Sequence, residues 1–210
     1  MPDARFESAS AAIDAANADD PNTIVVDGQP RPKELTHADL VTEWVRTLVP
    51  SPSDELLLAA RAHHLRRWAV PRSSYPEGRA GYLKWRRELH QRHAEEVGGI
   101  LAAAGYSPDA VERVQALVQK KGLGRSGDAE VQALEDAMCL VFIQTQFHEL
   151  AERLTARYGD ADRMVEVVRK TLAKMSEGGR AHALQLDLDP RDRVIVEAAL
   201  QPPTDGGQDE

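Results

Sequence analysis

Cysteine is nearly missing from this 210-residue sequence: Cys139 stands alone. A single thiol excludes an internal disulfide framework and any Cys-x-x-Cys metal site. It fits a reducing compartment, so a cytoplasmic protein is expected. Aromatic residues are also scarce, at 5%. Ala, Leu, Val, Glu and Arg dominate instead, a usage that favours helix over sheet. No apolar run approaches the ~20 residues of a membrane-spanning helix, and the opening MPDARFESAS has no apolar signal region. Membrane and secretory classes are thereby set aside.

The formal net charge of −8 argues against a nucleic-acid coat, which needs a basic face. That average hides a local inversion. Between Arg61 and Arg92 nine basic side chains face only Glu77 and Glu88, a strip of +7. A strip of this sign suits an anionic small molecule better than a long polyanion, which the rest of the chain would repel.

The hydrophobic period is helical almost throughout. Residues 7–18 read as an Ala-rich helix stopped at Asp19-Asp20-Pro21-Asn22. Thr23 to Val26 is a brief β-like run before Asp27-Gly28; with no partner run visible it reads as an extended arm, and Gln29 to Pro32, with two prolines, as a loop. Leu40, Val41, Trp44, Val45 and Leu48 mark the next helix. Ser51 or Ser53 caps another, running to about Trp68. PRSSYPEG (71–78) is a loop, a long helix spans about Arg79 to Ala103 with Gly105 closing it, and Ser107-Pro108 opens the next. From Asp128 an apolar pattern continues for about 30 residues, Asp160 is a candidate cap, and a last helix runs to Leu200. The expectation is an all-α, single-domain bundle of about seven helices over residues 1–201, with residues 1–33 as a helix and arm packed on it. Residues 202–210 (PPTDGGQDE) read as a disordered tail by composition.

Several polar groups sit where apolar residues belong. His63 and His64 lie near the end of an apolar helix, His90 and His93 stand one turn apart, and Glu135-Asp136 interrupts the most apolar stretch of the chain. A buried charge costs several kcal/mol unless paired or bound to metal. Imidazoles and carboxylates from separate helices are a usual way to hold Mn, Zn, Fe or Mg in a bundle. The bland alternatives are a satisfied core histidine and an Asp136 paired to Arg61 or Arg66. Among the remaining candidates, His37 reads as a surface residue near a helix start, His148 as a core-edge residue, His182 as part of a loop, and Cys139 as an inert buried thiol.

Four stretches carry a resemblance: AAIDAANADDPNTIVVDGQPRPKEL, ARAHHLRRWAVPRSSYPEGRAGYLKWRRELHQRHAEE, VERVQALVQKKGL and EVQALEDAMCLVFIQ. Together they resemble domain-of-unknown-function family 4202 over roughly residues 6–200, a family with no established activity. More distantly, the order of histidine-bearing helices followed by a late acid resembles the HD superfamily of metal-dependent phosphohydrolases. In that likeness LAARAHHL takes the place of the family's L-A-A-x-L-H-D segment. Either His63 matches its His and His64 its Asp, or His64 matches the His and Leu65 the Asp. LEDAMCL takes the place of the late A-D-x-L segment, so Asp136 or Glu135 stands at the late ligand, while His93 and His90 match extra histidines between. The first ligand would come from an earlier helix, where His37 is the residue available. The paired His-Asp itself is not present.

The resemblance and the polar pattern together imply an HD-like, divalent-metal-dependent hydrolase of a small phosphorylated compound such as a nucleotide. His64, His93 and Asp136 would hold the metal, with His63 completing the set. Glu135 or His90 would serve as general base. Arg61, Arg66, Arg72 and Arg86 would clamp the anion in forked geometry, and Trp68, Tyr82 and Trp85 would stack on a ring. The loop 71–79 is a candidate lid. Two other readings use the same residues: a non-catalytic sensor of an anionic small molecule, and, ranked last, a partner for RNA.

Overall fold

The computed structural model describes residues 3–26, 28–124, 127–158 and 162–201. The expected tail 202–210 and the expected cap Asp160 lie outside them. The fold is all-α. Among the described residues there are ten α-helices and one two-stranded hairpin, rather than about seven helices and no sheet. No helix is long and apolar enough to cross a membrane, among the described residues.

The chain forms two compact units, Met1–Ala137 and Met138–Glu210. The first contains α1 (Ala4–Ala18), β1 (Thr23–Val26), β2 (Gln29–Pro32), α2 (Lys33–Leu48), α3 (Asp54–Ala62), two 3₁₀ turns (Arg67–Ala69 and Arg72–Ser74), α4 (Gly78–Ala103), α5 (Pro108–Val118) and the first half of α6 (Ala129–Thr145). In it α1 packs on α2, α3 and α4, α2 on α3, and α5 on α3 and α4. The core is aliphatic: Ile13, Val41, Val45, Leu56, Leu58, Leu65, Val97, Leu101, Val114 and Leu117 are each fully buried. The second unit holds the rest of α6 with α7 (Phe147–Tyr158), α8 (Asp162–Leu172), α9 (Glu177–Gln185) and α10 (Pro190–Leu200), where α8 and α10 pack together most closely.

Sequence chemistry explains most boundaries. Ser53 caps α3 by accepting from the Leu56 N–H, and Ser107 caps α5, whose first residue is Pro108. Gly105, at φ 84°, closes α4. Its N–H donates to Ala102 and that of Tyr106 to Leu101, a Schellman arrangement.

Four expectations differ. Gln29–Pro32 is a strand, pairing antiparallel with Thr23–Val26 in the register Thr23↔Pro32 to Val26↔Gln29; its prolines are tolerated because a two-stranded ribbon is all edge. The helix expected to run to Trp68 stops at Ala62 and gives way to a turn. The 30-residue helix from Asp128 is two, broken at Gln146 with no glycine or proline to announce it. His182 lies in α9 rather than a loop, hidden by the glycine pair of EGGRAHALQ.

Candidate metal centre

α2 carries Glu34-Leu35-Thr36-His37 directly after its first residue, Lys33, and the i, i+3 spacing puts the carboxylate and imidazole on one face. His64 reaches the same place from the turn that follows α3. His37 Nδ1 lies 3.5 Å and His64 Nδ1 3.2 Å from the same oxygen, Oε2 of Glu34. One ligand atom from each of the three lies within 4.8 Å of the others. Two ligands on a tetrahedral ion with bonds of about 2.1 Å stand about 3.4 Å apart, so this spacing fits a shared ion as well as it fits hydrogen bonding.

α1 holds both halves of the cluster in register. Just beyond its end, Asp20 accepts from the backbone N–H of Glu34 at 3.0 Å and from that of Asn22 at 2.9 Å. Asn17, in its last turn, accepts at 3.0 Å from the backbone N–H of Arg66, two residues past His64. Arg66 has φ 49°, a left-handed conformation costly for a side chain with a Cβ. The strained turn aims His63 and His64 inward together.

Three more histidines adjoin. The His63 and His64 rings are 4.2 Å apart, and His63 Nδ1 donates to the Ala60 carbonyl at 2.7 Å. The His93 ring, from α4, lies 6.1 Å from that of His64. His93 is 1% exposed, and neither of its ring nitrogens has a hydrogen-bond partner among the described residues. His90 stands one turn earlier on α4, half-buried.

Burial sets the charge states. It pushes His63 and His90 down to about 4 and His93 to about 3; Lys120 and Arg86 add to the effect at His90, and His63, His90 and Arg67 at His93. His64 is also held well below the ordinary histidine value, by burial first and then by His63 and Arg67. Glu34 goes the other way. Burial favours its neutral form, but the rings of His64 and His37 and the charge of Arg67 outweigh that and keep it ionised. A neutral His64 and His93 and an ionised Glu34 are in the protonation states that a metal requires. The nitrogen-rich donor set suits Zn, Mn or Fe better than Mg, which prefers oxygen.

The other sequence-derived candidates are placed as follows. Glu135 is buried and forms an ion pair with Lys120. Lys120 occupies the position after α5 where glycine is usual, at φ 55°; its N–H donates to Leu117 and that of Lys121 to Ala116. Asp136 is buried too, but it accepts from Gln132 Nε2 at 3.0 Å and is not part of the Glu34 cluster. Arg61 pairs with Asp14 at 2.7 Å and Asp39 at 3.0 Å, holding α1, α2 and α3 together. Arg66 approaches Glu96 at 3.9 Å. Arg72 donates to the carbonyls of Tyr75 and Pro76 and braces its own loop. Arg86 lies over Tyr82; Trp85 is buried with Nε1 donating to Val70 O at 2.9 Å; Trp68 is half-buried, with no partner for Nε1 among the described residues.

Glu34 and Lys120 do not stand out in the sequence, nor does Arg67 within its basic strip. His37, read as a surface residue, is 1% exposed. The usable signal was the Glu-x-x-His spacing at a helix start, a pattern with which helical bundles hold metal.

Comparison with family models matches residues 7–196 to a domain of unknown function, DUF4202, and the chain belongs to that family. Comparisons with curated proteins and with solved structures give no match.

Proposed function

We propose that this member of a family without an assigned activity is an HD-like, metal-dependent hydrolase of a small phosphorylated compound such as a nucleotide. Glu34, His37 and His64 would hold the ion, with His93 at their side. The observation that carries this reading is the convergence of three donor atoms within 4.8 Å beside a buried imidazole whose nitrogens are unpartnered among the described residues. A closed hydrogen-bonded network would have used that ring, because a buried polar atom left unmet costs about 1–3 kcal/mol. The HD likeness adds its order of an early helix and then histidine-bearing segments, while its late acid, Asp136 or Glu135, stands outside the Glu34 cluster.

A divalent ion bound there supplies Lewis acidity and makes water a nucleophile at neutral pH. The chain's own groups do the rest. Glu34 contributes the negative charge, Asp20 and Asn17 fix the backbone that carries the donors, and half-buried His90 stays uncharged and able to accept a proton.

One observation favours the sensor reading. Glu135, the other candidate base, is already paired with Lys120. A protein that binds metal and phosphate without turning over phosphate esters would be that sensor.

The test is elemental analysis of the purified chain with thermal melts in Zn²⁺, Mn²⁺, Fe²⁺ and Mg²⁺, then assay on nucleoside monophosphates. Metal should raise the melting temperature of the wild type, and Glu34→Gln and His64→Ala should abolish the gain. A wild-type chain with no metal and no response to any of the four would sink the proposal.

A further inference from the structure

Several arginines of the first unit are committed to carboxylates or carbonyls: Arg61 to Asp14 and Asp39, Arg113 to Asp128 and Glu130, Arg72 to its loop. Arg67 and Arg86 differ. Neither is in an ion pair with a described residue; each lies over an aromatic ring instead. The Arg67 guanidinium carbon stands 5.2 Å from the centre of the Trp85 ring, and that of Arg86 5.8 Å from the Tyr82 ring. The two rings are 6.0 Å apart.

A guanidinium resting on a ring is held by its face and keeps the N–H donors around its edge for a ligand. Here the support is firm, because Trp85 is 7% exposed and fixed by its bond to Val70. The stack also leads somewhere. Tyr82, Arg86 and His90 follow at four-residue intervals on α4, with His93 one turn further. The stripe runs from Tyr82, 43% exposed, to His93, 1% exposed, beside His64. Arg86 stands one turn before His90 on α4, and its charge and that of Arg67 act, after burial and Lys120, against protonation of that ring.

We infer that Arg67 and Arg86, braced on Trp85 and Tyr82, form a seat for a tetrahedral oxyanion, the phosphate group of a monoester, next to the histidine–carboxylate cluster. The choice of phosphate rests on the phosphohydrolase reading of that cluster. The pair replaces Arg61 and Arg72, whose donors are already taken, and each forked guanidinium offers two parallel bonds to such a group.

The probe is inorganic phosphate, titrated into the full chain with and without Mn²⁺ and followed by calorimetry and tryptophan fluorescence. The wild type should bind it. Arg67→Ala and Arg86→Ala should each weaken binding about tenfold or more, and Arg67→Lys nearly as much, because an ammonium neither stacks as a plane nor forks. Arg87→Ala, an exposed neighbour on the same helix, should leave it unchanged, and Arg86→Ala, Arg87→Ala and the charge-keeping Arg67→Lys should keep wild-type Mn²⁺ affinity. If Arg67→Ala fails to fold, half-buried Arg86→Gln decides. The seat is overturned if wild type does not bind phosphate, if neither alanine variant weakens it, or if Arg87→Ala weakens it equally. Arginine-dependent phosphate binding in a chain that takes up no metal would support the seat and remove the metal reading alone.

Discussion

Replacing His93 by leucine separates stability from metal binding. The ring is 1% exposed and both nitrogens lack partners among the described residues. The substitution therefore removes two unmet polar atoms, orphans no bonding group among those residues, and keeps a side chain of similar bulk. Each unmet atom costs about 1–3 kcal/mol, and imperfect packing of the new side chain gives back about 1 kcal/mol. His93→Leu should thus stabilise the metal-free protein by about 1–5 kcal/mol, a rise of about 2–4 °C in melting temperature per kcal/mol at this size. With metal the variant's advantage should fall by about 2.3 kcal/mol. An ion at 100 times its Kd stabilises the wild type by about 2.7 kcal/mol, and a variant with a 100-fold weaker site gains only about 0.4. The assay is a pair of thermal or urea melts, one in EDTA and one in Zn²⁺ or Mn²⁺. A His93→Leu variant less stable than wild type in EDTA, with an undiminished response to metal, would refute the reasoning.

Other expectations are simpler. A Cβ at Gly81 would overlap the Pro76 carbonyl, a backbone atom, so Gly81→Ala should lower the melting temperature and speed proteolysis within residues 71–78; an unchanged cleavage rate counts against it. His148 Nδ1 lies 2.9 Å from buried Asp192, linking α7 to α10, and this bond, with the charge of Asp192, raises its pKa. A raised folded-state value means stabilisation that is fully present below the ordinary histidine value of about 6.5 and is lost as pH rises through the folded one. The stability gap between wild type and His148→Ala should therefore shrink from mildly acidic to alkaline pH, and a gap constant across that range would exclude this role.

The helical framework was legible because its period is local. Caps such as Ser107-Pro108 and the Gly105 stop act within one turn, so their residues announce them. The hairpin was hidden because prolines 30 and 32 argue against a strand unless it is known to be an edge. The α6–α7 break was hidden because Gln144-Thr145-Gln146 holds no glycine or proline and apolar residues resume at Phe147. The histidines that follow α3 and those on α4 showed as polar intrusions in apolar stretches. Glu34 and His37 did not, because charged and polar residues are ordinary in a first helical turn, and what buries them is a turn some 30 residues away. Arg61 misled for the same non-local reason: its partners, Asp14 and Asp39, lie on two other helices.

The bonds made by Asn17 and Asp20 have a consequence for deletions. A shortened chain lacking residues 4–18 would still carry every donor of the cluster, yet it would release the Arg66 turn and with it the aim of His64, while loosening the segment that presents Glu34. Loss of ion uptake on trimming the amino-terminal helix would then report on lost anchorage rather than on any missing ligand.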